Sequence, residues 1–524
     1  MTDASNLPGA STSQKATSKL LRQWGQEFLA SRKHANNLVD IISHWEESTC
    51  SCLLTIEMIF VEVLKRGDMY LESRSITLTV SEESSPESRY ISWLRNCYEE
   101  VWKKIQMSME KCRLVIQLQA LTTAIKLMAE EGKTPLQPHE NPGYHFPLHR
   151  LKPILMTLLS PEKDNTNLIS RFQEIIEYPD ALYYMWKCLP SLTPKRQPQE
   201  TYIKNLLELI DKIPLPKEEE ESVVSDNKEL LCGPQQNAAF TWDQSAVKRA
   251  LNKVWACVMH WELTPQLHKQ LLIVLLERVM SHLEKPVLLT DFLMDSLDVD
   301  GPVGVLALQG VFILVTKHNL EYPNIFTKLY SMFEPEIFHT KYKARLFYLS
   351  DLFLSSTHLP EALVAAFAKR LARLTLVAPP EDILIILLFV GNLLLRHPGL
   401  KRLIDHPQGG EVVSDASIGA GDPFLMEERD PLLSNALLSS LWEIRALQWH
   451  ILPSIASAAR FIHEPLPSVE YDMASALERT GGHLFDRELK NKIKDIMLTF
   501  ERPSSMMLPK GEKLLQYWQL TSTH

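Results

Sequence analysis

Along most of the chain, apolar residues recur at the three- and four-residue spacing of amphipathic helices. The pattern is densest over residues 318–398. Four helical segments follow one another there, and a proline stands near almost every break. Pro323 and Pro335 bound the first segment, Pro360 opens a helix over 361–376, Pro379 and Pro380 open the next, and Pro398 closes it. Proline fits the first turn of a helix and breaks one further in, so this punctuation predicts a stack of short antiparallel helices. Within 361–376, at about 100° per residue, Leu363, Val364, Phe367, Leu371 and Leu374 share an arc of roughly 100°. Lys369, Arg370 and Arg373 fall outside it, so the expectation is a buried stripe with a basic, solvated flank. Residues 383–395 are apolar all round except at Gly391 and Asn392, which is the pattern of a buried helix.

The same periodicity, weaker, organises the rest. Residues 1–17 are small and polar and read as a disordered tail. Residues 18–213 form an N-terminal helical domain, with Gly132 placed as a helix C-cap. The stretch 214–240, with consecutive glutamates at Glu218, Glu219, Glu220 and Glu221, reads as an acidic linker. A second helical domain covers 241–501 and contains a glycine-bearing loop at 406–430, read as disordered or a partner site. Asp430 and Pro431 then start a helix expected to run through 432–452. A helix over 484–501 completes the core, and 502–524 is an extended tail. Helical units of irregular length with no fixed period define the fold class: all-α, an irregular armadillo/HEAT-like helical-repeat solenoid in two halves.

Composition narrows the function classes. The chain has 524 residues with few glycines (18) and many prolines (32), which disfavours a turn-rich β protein. Its formal charge is 55 − 64 = −9, so nucleic acid is not bound by bulk charge, and any such contact is a local patch or indirect. Seven scattered cysteines make no disulfide framework, and Cys50-Ser51-Cys52 lacks a second pair at zinc spacing. The N-terminus has no apolar signal region. The most apolar runs, 303–315 and 383–395, fall short of the roughly 18–20 residues a membrane span needs, and read as buried core helices. Gly301-Pro302-Val303-Gly304 is not followed by the Gly-Lys-Ser/Thr of a P-loop, and no H-E-x-x-H, G-x-S-x-G or kinase signature occurs. No catalytic residue, cofactor or metal site is assigned.

Three basic groups remain: Lys341, Lys343 and Arg345; Lys369, Arg370 and Arg373; Arg396, Lys401 and Arg402. On stacked helices they are the candidate ridge for RNA or an acidic protein partner, against the alternative of a solvated face whose stems lie over apolar neighbours.

The segments HNLEYP (318–323), FHTKYKARLFYLSDLFLSSTHLP (338–360), LVAAFAKRLARL (363–374), APPEDILIILLFVGNLLLRHP (378–398) and DPLLSNALLSSLWEIRALQWH (430–450) resemble the domain shared by the CCAAT-binding-factor and nucleolar-complex (Noc) proteins. The dense similarity spans 302–453. The resemblance implies a nuclear, nucleolar protein of ribosome biogenesis. It implies a non-catalytic scaffold of the small-subunit processome, serving 18S rRNA processing and pre-40S maturation and export. The implied partner is nucleolar protein 14, in a stable heterodimer, beside other processome proteins and an indirect link to pre-rRNA. Three other readings stand beside it. One is a nuclear-envelope membrane protein, from the two apolar runs. Another is a CCAAT-type transcription regulator, which the net acidity and the lack of a DNA-binding module oppose. The last is an unusual enzyme, which would show a polar pocket of clustered titratable groups.

Overall fold

The computed structural model describes residues 9–495, apart from 71–85, 137–143, 216–228, 234–239, 405–420 and the single positions 175, 300, 319, 321 and 323. Among the described residues there are helices and no β-strands, as the periodicity requires. The chain forms two compact units, Met1–Leu320 and Glu321–His524.

The first unit runs α1 (Gly9–Ala30), α2 (Asn36–Ser43), α3 (Thr49–Arg66), α4 (Pro86–Lys111), α5 (Leu114–Lys133), α6 (Leu148–Leu158), α7 (Thr166–Gln173), α8 (Pro179–Leu192), α9 (Glu200–Lys212), α10 (Gln244–Val258), α11 (Pro265–Val274), α12 (Thr290–Leu297) and α13 (Pro302–His318). Helices pack on near neighbours in sequence: α3 on α1 and α5, α4 on α5, α7 on α9, α8 on α10, and α13 on α11 and α12. Such local stacking is the organisation of a helical-repeat array, in which each amphipathic helix buries its stripe against the next. Local chemistry sets the ends. Gly67, at φ 72°, closes α3 with its N–H on Leu64 O and that of Asp68 on Val63 O. The Asp243 side chain accepts from Ala246 N at the start of α10.

Four expectations change in this unit. Helix α1 begins at Gly9, inside the stretch read as a tail. Gly132 is no cap. It lies within α5, buried, where a Cβ would stand 2.2 Å from Cys232 Sγ. The unit boundary falls at Leu320, not at 214–240. Within that expected linker, Leu231 and Cys232 are buried, and their N–H groups donate to the two carboxylate oxygens of Asp180, both at 2.9 Å. The four glutamates lie outside the described residues.

The second unit contains α14 (Ile325–Ser331), α15 (Lys343–Phe353), α16 (Glu361–Leu374), α17 (Pro380–Arg396), α18 (Trp442–Leu447), α19 (Pro453–Ala458), α20 (Met473–Leu477) and α21 (Gly481–Asp495). Pro360 and Pro379 are the N-cap residues of α16 and α17, and Pro398 opens a 3-10 turn after α17. Pro323 lies outside the described residues. The predicted stripe of α16 is buried at every position, and the Phe367 ring meets Tyr330 and Phe333 edge-on at 5.2 and 6.2 Å. Helix α17 is buried along its length. Its two polar breaks have a structural cause: the Asn392 side chain pairs with the Tyr471 main chain (2.9 and 2.8 Å), and a Cβ on Gly391 would stand 3.0 Å from the Tyr471 ring. Among the described residues, no helix is long and apolar enough to cross a membrane.

Two helices read from sequence differ. The segment 432–452 is broken into 3-10 turns at Pro431–Leu433 and Ala436–Leu438, then α18, because Asn435 takes the left-handed conformation at φ 57°. Helix α21 is not core, since Phe485 and Leu489 on it are exposed.

Candidate interaction surface

The nine predicted ridge residues do not form one surface. Lys369 and Arg370 are buried, which overturns the reading of a solvated flank. Lys369 Nζ donates to both oxygens of Glu443 (2.7 and 2.8 Å) and to Ser440 O (2.6 Å), and pairs with Asp422 at 2.9 Å. Arg373 Nε donates to Glu443 Oε1 (2.8 Å), and its guanidinium also pairs with Asp422. The Trp442 ring lies 5.4 Å from Lys369 Nζ and 5.0 Å from the Arg373 guanidinium. Arg370 donates to the main-chain oxygens of Phe333 and Met426, both at 2.8 Å. These cations clasp α16 to the segments carrying Asp422 and Glu443. The end of the expected loop 406–430 is therefore a packed strap, with Phe424 buried in it, while residues 405–420 lie outside the described residues.

Lys343 and Arg396 are also taken. Lys343 pairs at 2.8 Å with the fully buried Asp382 at the start of α17. Arg396, at its end, pairs with Asp351 (2.8 Å) and Glu470 (2.7 Å). These pairs tie α15 parallel to α17. Only Lys341, Arg345, Lys401 and Arg402 of the nine are exposed. The first two sit near the start of α15 and the last two beyond the end of α17. The 14 residues from Asp382 to Arg396 rise about 20 Å, so the exposed pairs are at opposite ends.

The clasp predicts a pH dependence. Burial pushes the Asp422 carboxyl up, but hydrogen bonds from Ser439, Trp442 and Lys369 outweigh it and hold the carboxyl well below the usual carboxylate range. A depressed folded value means the stabilisation is fully present above the unfolded value, about pH 4, and is lost as pH falls through the folded value. Thermal unfolding by circular dichroism from about pH 2 to 7 is therefore expected to show a shallower acid limb in Asp422→Asn than in the natural chain. Identical limbs would rule out Asp422 as a source of acid sensitivity.

With Lys369, Arg370 and Arg373 engaged in the clasp, the accessible feature beside it is apolar. Trp449 and Ile451, on the turn between α18 and α19, are 86% and 90% exposed. Leu432, Leu433 and Leu438, earlier on the same segment, are also exposed. A tryptophan left this open on an ordered turn is a typical anchor of a protein–protein contact. The helix expected over 432–452 hid these residues. The signal that finds them is Trp449-His450-Ile451 directly before Leu452-Pro453, a turn rather than a helical face.

Fold and surface together define a helical-repeat protein with exposed apolar residues on the segment around α18. Residues 304–459 match the CBF/Mak21 family, and residues 11–197 match a family described as nucleolar complex protein 4-like, TPR repeats. The chain is 38% identical to nucleolar complex protein 4 homolog B of Xenopus laevis over 90% of each chain. It is 34% identical to the Homo sapiens nucleolar complex protein 4 homolog over 98% of this chain and 99% of the relative. Its identity to nucleolar complex protein 4 of Saccharomyces cerevisiae is 30%, over 86% and 85%. The chain belongs to the nucleolar complex protein 4 family, a family of nucleolar proteins.

Proposed function

We propose that this chain is a non-catalytic scaffold of ribosome biogenesis. It helps assemble the small-subunit processome for 18S rRNA processing and pre-40S maturation and export, as a stable heterodimer with nucleolar protein 14. Trp449 and Ile451 anchor that partner. The reading is supported by near full-length family membership and, above all, by the exposure of this pair inside the CBF/Mak21-matched region. Lys341, Arg345, Lys401 and Arg402 serve as outlying contacts. The test is affinity purification of the tagged chain from nuclear extract at about 0.3 M salt, with and without RNase. Nucleolar protein 14 is expected in near-equal amount in both, alongside small-subunit precursors lost with RNase. Trp449→Ala with Ile451→Asp is expected to lower its recovery at least about tenfold, since two anchors of this kind carry more than 1.4 kcal/mol. Full recovery by a folded double variant sinks the assignment of Trp449 and Ile451. Absence of the partner from the unmutated chain sinks the heterodimer.

A further inference from the structure

A second surface, on the first unit, has a different chemistry. Six aromatic rings from three places in the sequence form one continuous array. Phe146 stacks on Tyr184 at 4.6 Å, and Tyr184 lies parallel to Tyr144 at 6.5 Å. Tyr144 meets Phe240 at 5.4 Å, Phe240 meets Tyr183 at 5.8 Å, and Tyr183 meets Trp242 at 5.7 Å. Only Phe146 is buried, while the other five are partly open to solvent. A hydrophobic cluster built only for packing would close these rings off. Four of them instead are Tyr or Trp, whose faces stack and whose edges hydrogen-bond.

Cations surround the array. The exposed Lys187 lies 5.9 and 5.7 Å from the Tyr183 and Tyr184 ring centres. Lys152, also exposed, stands on α6, which packs against α8. Arg249, on α10, is paired with Asp243 at 3.8 Å, so the lysines are the cations left without a carboxylate. Neither Lys187 nor Lys152 has a carboxylate partner among the described residues. On a chain of net charge −9, half-open rings under an exposed lysine with no carboxylate partner stand apart from the acidic average.

We propose that this array is a stacking platform for single-stranded RNA, with Tyr183 and Trp242 taking bases and Lys187 and Lys152 taking phosphates. The Tyr183 ring meets Phe240 at 76° and Trp242 at 57°, so neighbouring faces point in different directions, which suits bases splayed out one by one, whereas a duplex keeps its base faces inside. This surface does not depend on the partner assigned above, so either reading can fail alone.

The test is fluorescence anisotropy of the full-length chain at about 0.1 M salt with a labelled 20-nucleotide oligouridine, the same strand in a duplex, and poly-glutamate. The single strand is expected to bind best. Tyr183→Leu with Trp242→Leu keeps apolar volume but removes the stacking faces, and is expected to weaken binding about ten- to a hundredfold. Lys187→Glu with Lys152→Glu, both at exposed positions, is expected to weaken it and to lower the salt slope by roughly 1.4. Photo-cross-linking is expected to tag Tyr183 or Trp242. Equal binding of the duplex, preference for poly-glutamate, no binding of the strand, or unchanged affinity in the lysine variant each overturns the proposal.

Discussion

Lys369→Glu is expected to unfold the second unit. The side chain is fully buried and held between Glu443, also fully buried, and Asp422. Reversal leaves three carboxylates in one desolvated site with only Arg373 to offset them. Two like charges about 4 Å apart repel by about 4 kcal/mol even at an effective dielectric of about 20, and here the lost attraction adds to that. The sum rivals the whole stability of a domain, about 5–15 kcal/mol. Lys369→Met is the milder control. It removes one charge, leaves Glu443 its Arg373 partner, and is expected to cost about 3–5 kcal/mol. Urea unfolding followed by tryptophan fluorescence checks both, because Trp442 sits over the cluster. A Glu variant with an unchanged midpoint would show that the clasp does not hold the unit together. On the solvated flank that the sequence pattern implies, triple reversal of Lys369, Arg370 and Arg373 to Glu would leave the fold intact. The clasp makes it the most damaging change available there.

That reversal shows which physics the pattern carries. Periodicity found the α16 stripe and the α17 core because burial of apolar residues is decided locally, by angle around a helix. It also found the helix starts at Pro360 and Pro379, whereas Asp430 caps a short 3-10 turn and not the long helix expected. It misplaced Lys369 because a wheel assigns any cation to solvent. The groups that make burial possible, Asp422 and Glu443, lie 53 and 74 residues further on. The acid between two large apolar residues in Trp442-Glu443-Ile444 is the only local sign of it. The exposed apolar residues were missed for a related reason. Spacing over 432–452 fits one helix, but Asn435 turns left-handed and Ser439 and Ser440 are drawn to Asp422 and Lys369. Tertiary hydrogen bonds overrode propensity there. The family-level expectation fared better, because long matched words report a whole fold rather than a local preference.

Gly132→Ala is expected to release the segment 229–233 from the first unit. Helix propensity alone predicts the opposite, a gain of up to about 1 kcal/mol for alanine inside α5. The added Cβ, however, would stand 2.2 Å from Cys232 Sγ and 2.7 Å from its Cβ, so one of them must leave. If the segment lifts, Asp180 loses the N–H groups of Leu231 and Cys232 and keeps only the Tyr144 hydroxyl, at 2.8 Å. A fully buried carboxylate deprived of donors costs on the order of 2–3 kcal/mol, which outweighs the helical gain. The thiol reports the event directly. In the natural chain Cys232 is buried, and burial, with Asp180 adding to it, pushes its pKa well above the ordinary thiol range, so it reacts slowly with a disulfide reagent. In the alanine variant, labelling mapped to Cys232 by mass spectrometry is expected to speed up at least about tenfold, as one transition of about 1.4 kcal/mol or more requires. Removing both clashing atoms with Cys232→Gly in the same chain is expected to recover most of the lost stability. A single variant that is more stable and no more reactive would mean that the segment packs elsewhere and that Gly132 is only a helical glycine.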